Sequence, residues 1–457
     1  MKLSVAILLS TVSLASAEDA ALRDIISIGT RPYYLVEEMK DGELKNALSE
    51  IDFRRSDLSF VSSSTNDDRY LPLTSCSACM QYPEHTVESY KAAALMGAGI
   101  IECDVTFTKD RELVCRHAQC DLHTTTDVVT RPELNAKCTT PFETGVEPKC
   151  CSSDFTLEEI QSLCGKMDSK NSVDGTAEEY AFGGTADWRT DLYSHGSTCP
   201  KIPTHAESIE LIKSFGAKFT PELKSPDVEM PYEGDYTQEM YAQQMADDYV
   251  KAGIDPSHVW LQSFNSDDVI YWVNNTDFGD QAVALDGEYE MPEEEFKAWH
   301  KMLADAGVKI VAPPMWRLVD HDPNSDHGMV PSAYVASTKE NGLDIITWTL
   351  ERTGPGLDGW YWQTTADMEK TEGDRLTLLH VLNEDVGVLG VFSDWPATTT
   401  FYANCMKVAM HDDHHAHTEA DVEEEEATDG SDASASGSRY LMAAGRLVNL
   451  GLRMVGI

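Results

Sequence analysis

Short apolar runs alternate with longer amphipathic stretches along most of this chain. Runs with the length and β-branched content of buried strands occur at 70–75, 99–105, 113–117, 218–223, 257–263, 281–286, 308–312, 344–349 and 388–393. Apolar residues recur at helical spacing in the intervening stretches 84–96, 204–215, 236–252, 292–305, 332–340 and 374–385. The repeated order of strand and helix predicts parallel strands joined by right-handed crossovers. About eight such units favour a closed (β/α)8 TIM barrel over an open doubly wound sheet.

One unit interrupts this rhythm. A polar turn at 108–111 joins the strand candidates 99–105 and 113–117 closely enough to predict a hairpin. Residues 118–203, which follow it, are rich in Cys, Thr, Ser and Gly and show little periodicity. We therefore predict one barrel over 67–405 with a disulfide-rich insertion at 118–203. A separate small domain would need more apolar residues than this segment contains.

The N-terminal end has the pattern of a secretory signal. A charged start and a short apolar run precede the small residues at 15–17, so residues 1–17 are predicted to be removed on export. The run is too short to span a membrane, and no other stretch is long and apolar enough, so no transmembrane segment is predicted. Residues 18–66 are predicted to form a helical lead into the barrel.

The composition changes abruptly after Cys405. Residues 406–438 combine several His residues, a run of Glu and a Ser-rich stretch, which predicts a disordered, solvated tail rather than a weak metal site. Residues 439–457 predict an amphipathic helix. A lipid-anchor signal is less favoured there, because Arg446 and Arg453 interrupt the hydrophobic tail that such signals need.

Charge and cysteine content restrict the partners and the cellular compartment that are expected for the protein. The net charge is −43, from 35 basic and 78 acidic residues, so the protein should repel nucleic acid and anionic membranes. Most of the 11 cysteines lie between Cys76 and Cys199, which in an exported chain predicts disulfides. Their spacings do not repeat as in a zinc motif. The sequence does not determine which cysteines pair with one another. Because the number of cysteines is odd, one of them is either free or bonded to another molecule.

A pair of acids lies inside an apolar strand candidate. In the segment 100–105, Glu102 and Asp104 must point to the same face, because side chains alternate along a strand. Two buried carboxylates on one face repel each other unless a cation joins them. The pair is therefore a candidate site for a hard metal ion, with His117 as the nearest proton carrier in sequence. The alternative is a strand edge whose acids meet solvent or an arginine.

Further polar residues lie at the ends of other strand candidates, where the active sites of parallel barrels form. They are Glu222, Lys224, Gln262, Trp348 and Asp394. With Glu102 and Asp104, Glu222 would supply three oxygen ligands for Ca²⁺ or Mg²⁺, and Lys224 could hold an anion. A divalent cation, a lysine and an imidazole are suited to phosphoryl transfer. The alternative pairs Glu222 with Lys224 as an ordinary salt bridge and places Gln262 and Trp348 in the core or rim.

Several motifs are found along the chain in a fixed order: Pro83-Glu84-His85-Thr86, the stretch 97–110, Leu113-Val114-Cys115-Arg116-His117, the stretch 220–226, Gln262-Ser263-Phe264 and Trp348-Thr349. Together they resemble the glycerophosphodiester phosphodiesterase family, in particular its secreted members with a Pro-Glu-His-Thr motif. The resemblance extends from about Tyr70 to Pro396. It implies a TIM barrel with an insertion after the second strand, which hydrolyses a small phosphodiester to glycerol 3-phosphate and an alcohol.

The resemblance also implies roles for individual residues. Positions matching Glu102, Asp104 and Glu222 hold the metal ion, the one matching His117 is a catalytic acid or base, and the one matching Lys224 binds phosphate. Gln262 and Trp348 are predicted to contact the substrate.

One motif departs from the family. A His-Arg-Gly sequence is expected at the end of the first strand, and counting back from Pro83 places Ser75-Cys76-Ser77 there. Serine lacks the proton affinity of imidazole, and cysteine cannot bind phosphate through two parallel hydrogen bonds. The aspartate usual after the second histidine is Ala118 here.

Several outcomes follow from this departure. His85 or His123 could supply the second base, although each is equally well explained as structural. Ser75 could act as a nucleophile, but no base is evidently oriented on it. The chain could also be a catalytically impaired relative that binds a phosphodiester or a phosphorylated glycan, with Cys76 and Cys79 joined in a disulfide. A sphingomyelinase D-like phospholipase is a further alternative, because that class resembles the acidic strand and the second histidine and carries a cysteine just after it, as Cys120 does here. This alternative is less favoured than the diesterase, because that class lacks the Pro-Glu-Leu-Lys context of Glu222.

Overall fold

The computed structural model describes residues 27–49, 73–74, 78–194, 198–287, 291–352, 362–366, 368 and 370–406. The chain divides into two units, Met1–Asp412 and Asp413–Ile457, and every described residue belongs to the first. The predicted signal segment, the predicted C-terminal helix and nearly all of the predicted tail lie outside the described residues.

The strands are short and follow the predicted order. They are β1 (Leu73–Thr74), β2 (Ile100–Ile101), β3 (Asp104–Phe107), β4 (Leu113–Cys115), β5 (Lys218–Phe219), β6 (Glu222–Leu223), β7 (Gln262–Ser263), β8 (Val283–Leu285), β9 (Ile310–Ala312), β10 (Val319–His321), β11 (Met329–Pro331), β12 (Asp344–Thr347) and β13 (Gly390–Val391).

The helices lie between these strands and at both ends of the described chain. They are α1 (Arg31–Glu38), α2 (Glu43–Ser49), α3 (Val87–Leu95), α4 (Leu122–Thr125), α5 (Pro132–Asn135), α6 (Leu157–Ser162), α7 (Ala177–Ala181), α8 (His205–Phe215), α9 (Gln238–Ala252), α10 (Ser266–Asn275), α11 (Glu293–Asp305), α12 (Ala333–Glu340), α13 (Asp374–Val381) and α14 (Ala397–Met406). Threonine side chains cap the N-termini of α3, α6, α7, α8 and α9, where each accepts a backbone N–H of the first turn.

The strands form a curled parallel sheet. Strands β3, β6, β7, β8, β9, β12 and β13 are neighbours in that order, and β1, β2 and β5 pair in parallel beside them. Only two residues separate β2 from β3 and β5 from β6, so two chain segments run through both ladders. Strand β1 also contacts β13, so the sheet curls back toward its first strand. The result is an α/β fold, as the repeated strand and helix pattern predicted.

The two faces of the curled sheet bury different apolar clusters. Ile100, Val283, Ile310 and Ile346 belong to a small cluster made of strand and strand-end residues. Their neighbours Ile101, Ala284, Val311 and Ile345 belong to the large cluster that includes the helices. This alternation shows that every second strand residue points inward, away from the helices.

Two features of the local structure were not predicted correctly. The strand expected over 257–263 begins late: it pairs at Val259 in a single bridge to Phe219 and then at Gln262–Ser263. Its first residues are lost because Pro256–His258 form a 3₁₀ turn in which the Asp255 side chain accepts the Ser257 N–H. The β10–β11 hairpin between β9 and α12 was missed. The predicted hairpin of β3 and β4 is present and antiparallel.

Disulfides staple the hairpin and the insertion. Cys103 pairs with Cys115, Cys120 with Cys151, Cys138 with Cys150, and Cys164 with Cys199. The insertion also buries its own apolar cluster, which includes Phe155 and Tyr180. Cys79 is disulfide-bonded as well, whereas Cys76, its predicted partner, lies outside the described residues.

Two further features concern the free cysteine and the hydropathy of the helices in the described part of the chain. Within it, Cys405 is the free cysteine, as the odd count required. Within the same residues, no helix combines the length and hydropathy needed to cross a bilayer.

Candidate active site

Three carboxylates from two neighbouring strands meet on the inner face of the sheet. Glu102 and Asp104 continue the inward alternation that begins at Ile100, and Asp104 pairs in register with Glu222. Carboxylate oxygens of the three residues lie within 4.8 Å of one another, and all three side chains are buried. The sequence prediction that these acids converge is therefore met by the geometry.

Two polar side chains fix this acidic triad. Gln262 stands in register with Glu222, and its Nε2 donates a hydrogen bond of 2.7 Å to Glu102 Oε1. Lys224 Nζ lies 2.6 Å from Glu222 Oε1 and 3.8 Å from Asp104 Oδ2. The salt bridge between Glu222 and Lys224 considered from the sequence is thus present, and Lys224 still lines the pocket.

The acids of the triad differ in their affinity for a proton. Burial works against ionisation of Asp104, but Lys224 and His85 outweigh it and hold its pKa below the usual range. Burial raises the pKa of Glu222 to about 7, with a contribution from the negative charge of Asp104 and against the effect of Lys224.

His85 supports Asp104 from behind and does not line the pocket. It is fully buried, and its Nε2 lies 2.9 Å from Asp104 Oδ2 while its Nδ1 lies 3.3 Å from the Tyr90 hydroxyl. Its backbone φ of 52° is in the left-handed region, which non-glycine residues rarely adopt. His85 therefore fixes the orientation of Asp104, and its position does not favour a role as the second base.

His117 is held at the pocket by residues of the barrel and of the insertion. Its Nδ1 lies 3.5 Å from Glu84 Oε1 and its Nε2 lies 3.9 Å from Asp104 Oδ2. The other oxygen of Glu84, Oε2, lies 3.3 Å from Nη2 of Arg189, which comes from the insertion. Arg116 Nη2 also donates to the Glu84 carbonyl oxygen at 2.7 Å.

This arrangement keeps Glu84 ionised and His117 neutral. Burial alone would raise the pKa of Glu84, but the positive charges of His117 in its protonated form and of Arg189 lower it to about 2. The side chain of His117 is 40% exposed. Partial removal from water, followed by the positive charge of Lys224, lowers its pKa to about 4. A neutral imidazole at neutral pH can accept a proton.

A pocket of about 260 Å³ opens above the triad. Its lining includes the triad, His117, Lys224, Gln262, Phe264, Trp348 and Arg352. Phe264 and Trp348 meet edge to face with their ring centroids 6.0 Å apart, and Trp348 Nε1 donates to the Ala312 carbonyl oxygen at 2.9 Å. The pocket therefore has a charged side and an aromatic side.

The chemistry of the triad suits a hard divalent cation. Asp104 Oδ1 is buried and has no hydrogen-bond partner among the described residues. A buried, ionised oxygen without a donor is costly unless a cation compensates for it. Carboxylate oxygens are the ligands that Ca²⁺ and Mg²⁺ prefer, so these residues fit either ion.

Some of the residues singled out in the sequence do not join the site. Ser75, Cys76 and Ser77 lie outside the described residues. His123 lies in α4 within the insertion, where Lys170, Glu147 and Lys166 are the charges that act on it, and it does not line the pocket. Asp394, predicted at the last strand end, lies behind the pocket wall and binds Arg352.

Sequence analysis missed two arginines of this region, Arg189 and Arg352. Arg352 follows β12 and lines the pocket, and its position four residues after Trp348 at a strand end was the available signal. No comparable signal existed for Arg189, since it lies in the insertion, 105 residues after its partner Glu84.

The fold and the site together define an α/β protein whose curled parallel sheet carries an acidic pocket at its strand ends. The model of the glycerophosphoryl diester phosphodiesterase family matches residues 78–398, so the chain belongs to this family.

Several known proteins are similar to this chain. An extracellular protein of Arthroderma benhamiae is 40% identical over 250 residues, which cover 53% of this chain and all of that protein. The glycerophosphodiester phosphodiesterase GDPD6 of Arabidopsis thaliana is 23% identical over 332 residues, covering 70% of this chain and 82% of that protein. A solved structure from Silicibacter pomeroyi, described as a glycerophosphoryl diester phosphodiesterase, superposes with a TM-score of 0.51 at 16% identity, covering 76% of this chain and 96% of that one. The fold therefore matches the barrel structures of this family.

Proposed function

We propose that this protein is an exported, divalent-metal-dependent hydrolase that cleaves a small glycerophosphodiester into glycerol 3-phosphate and an alcohol. The observation that carries the proposal is the meeting of Glu102, Asp104 and Glu222 beside Lys224 and His117 in one pocket. Membership of the phosphodiesterase family supports the reaction class. Both the name of the Arthroderma benhamiae relative and the disulfides support export.

The pocket residues that the sequence singled out have proposed parts in this reaction. Lys224 binds a phosphate oxygen, while Gln262 orients Glu102 and the face of Trp348 packs against the substrate. Ca²⁺ or Mg²⁺, held by the three carboxylates, would neutralise negative charge that develops on the phosphate oxygens. We also propose that the curled sheet closes into a complete (β/α)8 barrel.

His117 is the proposed proton carrier. Hydrolysis requires that a proton leave the attacking oxygen and that another reach the oxygen of the departing alcohol. Among the described residues that line the pocket, His117 is the only imidazole. Glu84 at Nδ1 fixes the ring so that Nε2 faces the pocket, and this nitrogen can take up and return a proton. No role is proposed for Ser75 in this step.

A catalytically impaired binder is the second candidate. It is favoured by Ser75, since a serine cannot replace an imidazole at the end of the first strand. Against this second candidate, the loss of one acid or base group commonly reduces a rate by only about 10²–10⁴. An enzyme that lacks the first histidine would therefore still show measurable hydrolysis.

Turnover of glycerophosphocholine separates the two candidates. The mature chain with 1 equivalent or more of Mg²⁺ or Ca²⁺ should release glycerol 3-phosphate, and Ser75→His should increase the rate by about 10²-fold or more. If neither form releases product although both bind the diester, the protein is a binder and the proposed hydrolysis is wrong. His117→Gln, which removes the proton carrier, is the matched negative control.

A further inference from the structure

A second cation lines the pocket in addition to Lys224. Arg352 follows β12, whereas Lys224 follows β6, and the order of the sheet places β7, β8 and β9 between these two strands. Both side chains nevertheless reach the same pocket. Arg352 therefore approaches the pocket from a different side of the curled sheet than Lys224.

The guanidinium of Arg352 is held in a fixed orientation. Asp394, which is fully buried, accepts hydrogen bonds from Nε at 3.0 Å and from Nη2 at 3.2 Å, along one edge of the group. The ring of Trp188, from the insertion, lies 5.9 Å from the guanidinium carbon. A planar group anchored along one edge loses little further entropy when it binds an anion.

The charges of the pocket also call for this arginine. Lys224 and Arg352 are the cations that line the pocket in the described part of the chain. Three carboxylates, these two cations and one divalent ion would carry a net charge of +1, and the buried Asp394 that pairs with Arg352 reduces this total to zero. Arg352 is also close enough to act electrostatically on His117 and Glu84. Without Arg352, Asp394 would leave an uncompensated negative charge behind the pocket wall, which would repel the anion.

We propose that Arg352 is a substrate-binding residue that donates hydrogen bonds to the phosphate group from the β12 side of the pocket. This inference rests on the proposed function insofar as it takes the ligand to be a phosphate ester. Arginine presents several N–H donors in one plane, a geometry that suits phosphate oxygens. The alternative is a wall residue whose only task is to neutralise Asp394.

Binding of inorganic phosphate in the presence of Mg²⁺, measured by isothermal titration calorimetry, tests the proposal without relying on catalysis. Arg352→Met should weaken phosphate binding by about 10- to 100-fold, which is the usual effect of losing hydrogen bonds to a charged group. Arg352→Lys retains a charge for Asp394 and should remain folded, but it should still bind phosphate more weakly than the wild type because the planar donor pair is gone.

Arg317→Met is the matched control. Arg317 is likewise a part-buried arginine that pairs with an aspartate, 3.5 Å from Asp286 Oδ2, and it lies over the ring of Tyr334. It does not line the pocket. The melting temperature of Arg317→Met should fall by about as much as that of Arg352→Met, whereas its affinity for phosphate should equal that of the wild type.

The possible results distinguish this inference from the proposed function. Unchanged phosphate affinity in both Arg352 variants, or absence of phosphate binding by the wild type, overturns the role of Arg352. If phosphate binding depends on Arg352 but glycerophosphocholine is not cleaved, the role of Arg352 stands and the proposed hydrolysis fails. If the wild type cleaves glycerophosphocholine and Arg352→Met retains its KM, the hydrolysis stands and Arg352 is a wall residue.

Discussion

Within the ranges that the structure describes, Asp104 has cationic and hydrogen-bonding neighbours at one of its two carboxylate oxygens only. His85 contacts one of its oxygens directly, Lys224 and His117 lie within 4 Å of the same oxygen, and the other oxygen is buried without a hydrogen-bond partner among the described residues. One side of this carboxylate is thus saturated by protein cations and donors, while the other is left for a ligand. That asymmetry is the property expected of a metal ligand held in place by neighbouring residues.

Replacement of one acid of the triad should abolish tight metal binding. Residues around a metal that do not contact it already change affinity by about 10- to 100-fold, so Glu102→Ala, which removes a proposed ligand, should weaken Mg²⁺ binding by at least about 100-fold. Isothermal titration calorimetry measures this directly. Asp286→Asn is the control, because Asp286 is a buried carboxylate just after β8 that does not line the pocket. Equal affinities in wild type and Glu102→Ala would contradict the metal assignment.

The packing of helix α11 against α12 depends on one neutral histidine. His300 is fully buried, its Nδ1 lies 2.9 Å from the Ser337 hydroxyl, and it packs edge to face against Tyr334 at a ring distance of 4.4 Å. Burial, with a contribution from Arg317, lowers the pKa of His300 to about 4. The folded protein therefore accepts the neutral ring and resists its protonation.

This histidine should make the protein less stable in mild acid. An unfolded histidine binds its proton near pH 6.5, so the stabilisation is complete above that pH and is lost as the pH falls toward 4. The loss attributable to His300 should be on the order of 2 kcal/mol. Urea unfolding between pH 7 and pH 4.5 should show a smaller decrease in the free energy of unfolding for His300→Asn than for the wild type. Parallel pH profiles would contradict this explanation.

Elements and site residues differ in how far local sequence determines them. Glu102 and Asp104 could be assigned to one face because strand alternation is a local property. Their meeting with Glu222 could be predicted because parallel strands in a barrel converge at one end. The 3₁₀ turn at Pro256–His258 was missed, since the capping contact from Asp255 competes with a strand pattern that extends through it.

Contacts that depend on the docking of distant segments were not visible in the sequence. Asp394, at the end of another strand, holds Arg352 in its orientation at the pocket. Arg189 reaches Glu84 only because the insertion folds over the strand ends. Neither pairing is signalled by spacing or periodicity, since both partners are separated by many residues and lie in loops.

In the described part of the chain, two differently stabilised parts meet at the candidate active site. The sheet and its helices bury one large apolar cluster, whereas the insertion has a small cluster and three disulfides. Trp188 and Arg189 connect the insertion to Arg352 and Glu84. The covalent links of the insertion should therefore influence catalysis as well as stability.

The disulfide that closes the segment containing Arg189 should matter most for activity. Cys164 and Cys199 are 35 residues apart, and their bond should contribute about 4 kcal/mol by the loop-closure relation. Replacing both with Ser should reduce kcat/KM for glycerophosphocholine by about tenfold, since Glu84 would no longer be fixed against His117. The control replaces Cys138 and Cys150, which close a shorter loop of 12 residues. Equal activities in the two double variants would show that the insertion does not position the site.

The half-buried thiol of Cys405 has a consequence for the durability of this covalent framework. Burial raises the pKa of Cys405 to about 12, so the sulfur remains protonated at any pH that the protein would ordinarily meet. Exchange of disulfides requires an attacking thiolate. If the chain is exported, as proposed, a reactive thiolate could rearrange its disulfides during long exposure outside the cell. The position of Cys405 in α14 keeps this thiol protonated and therefore prevents that exchange.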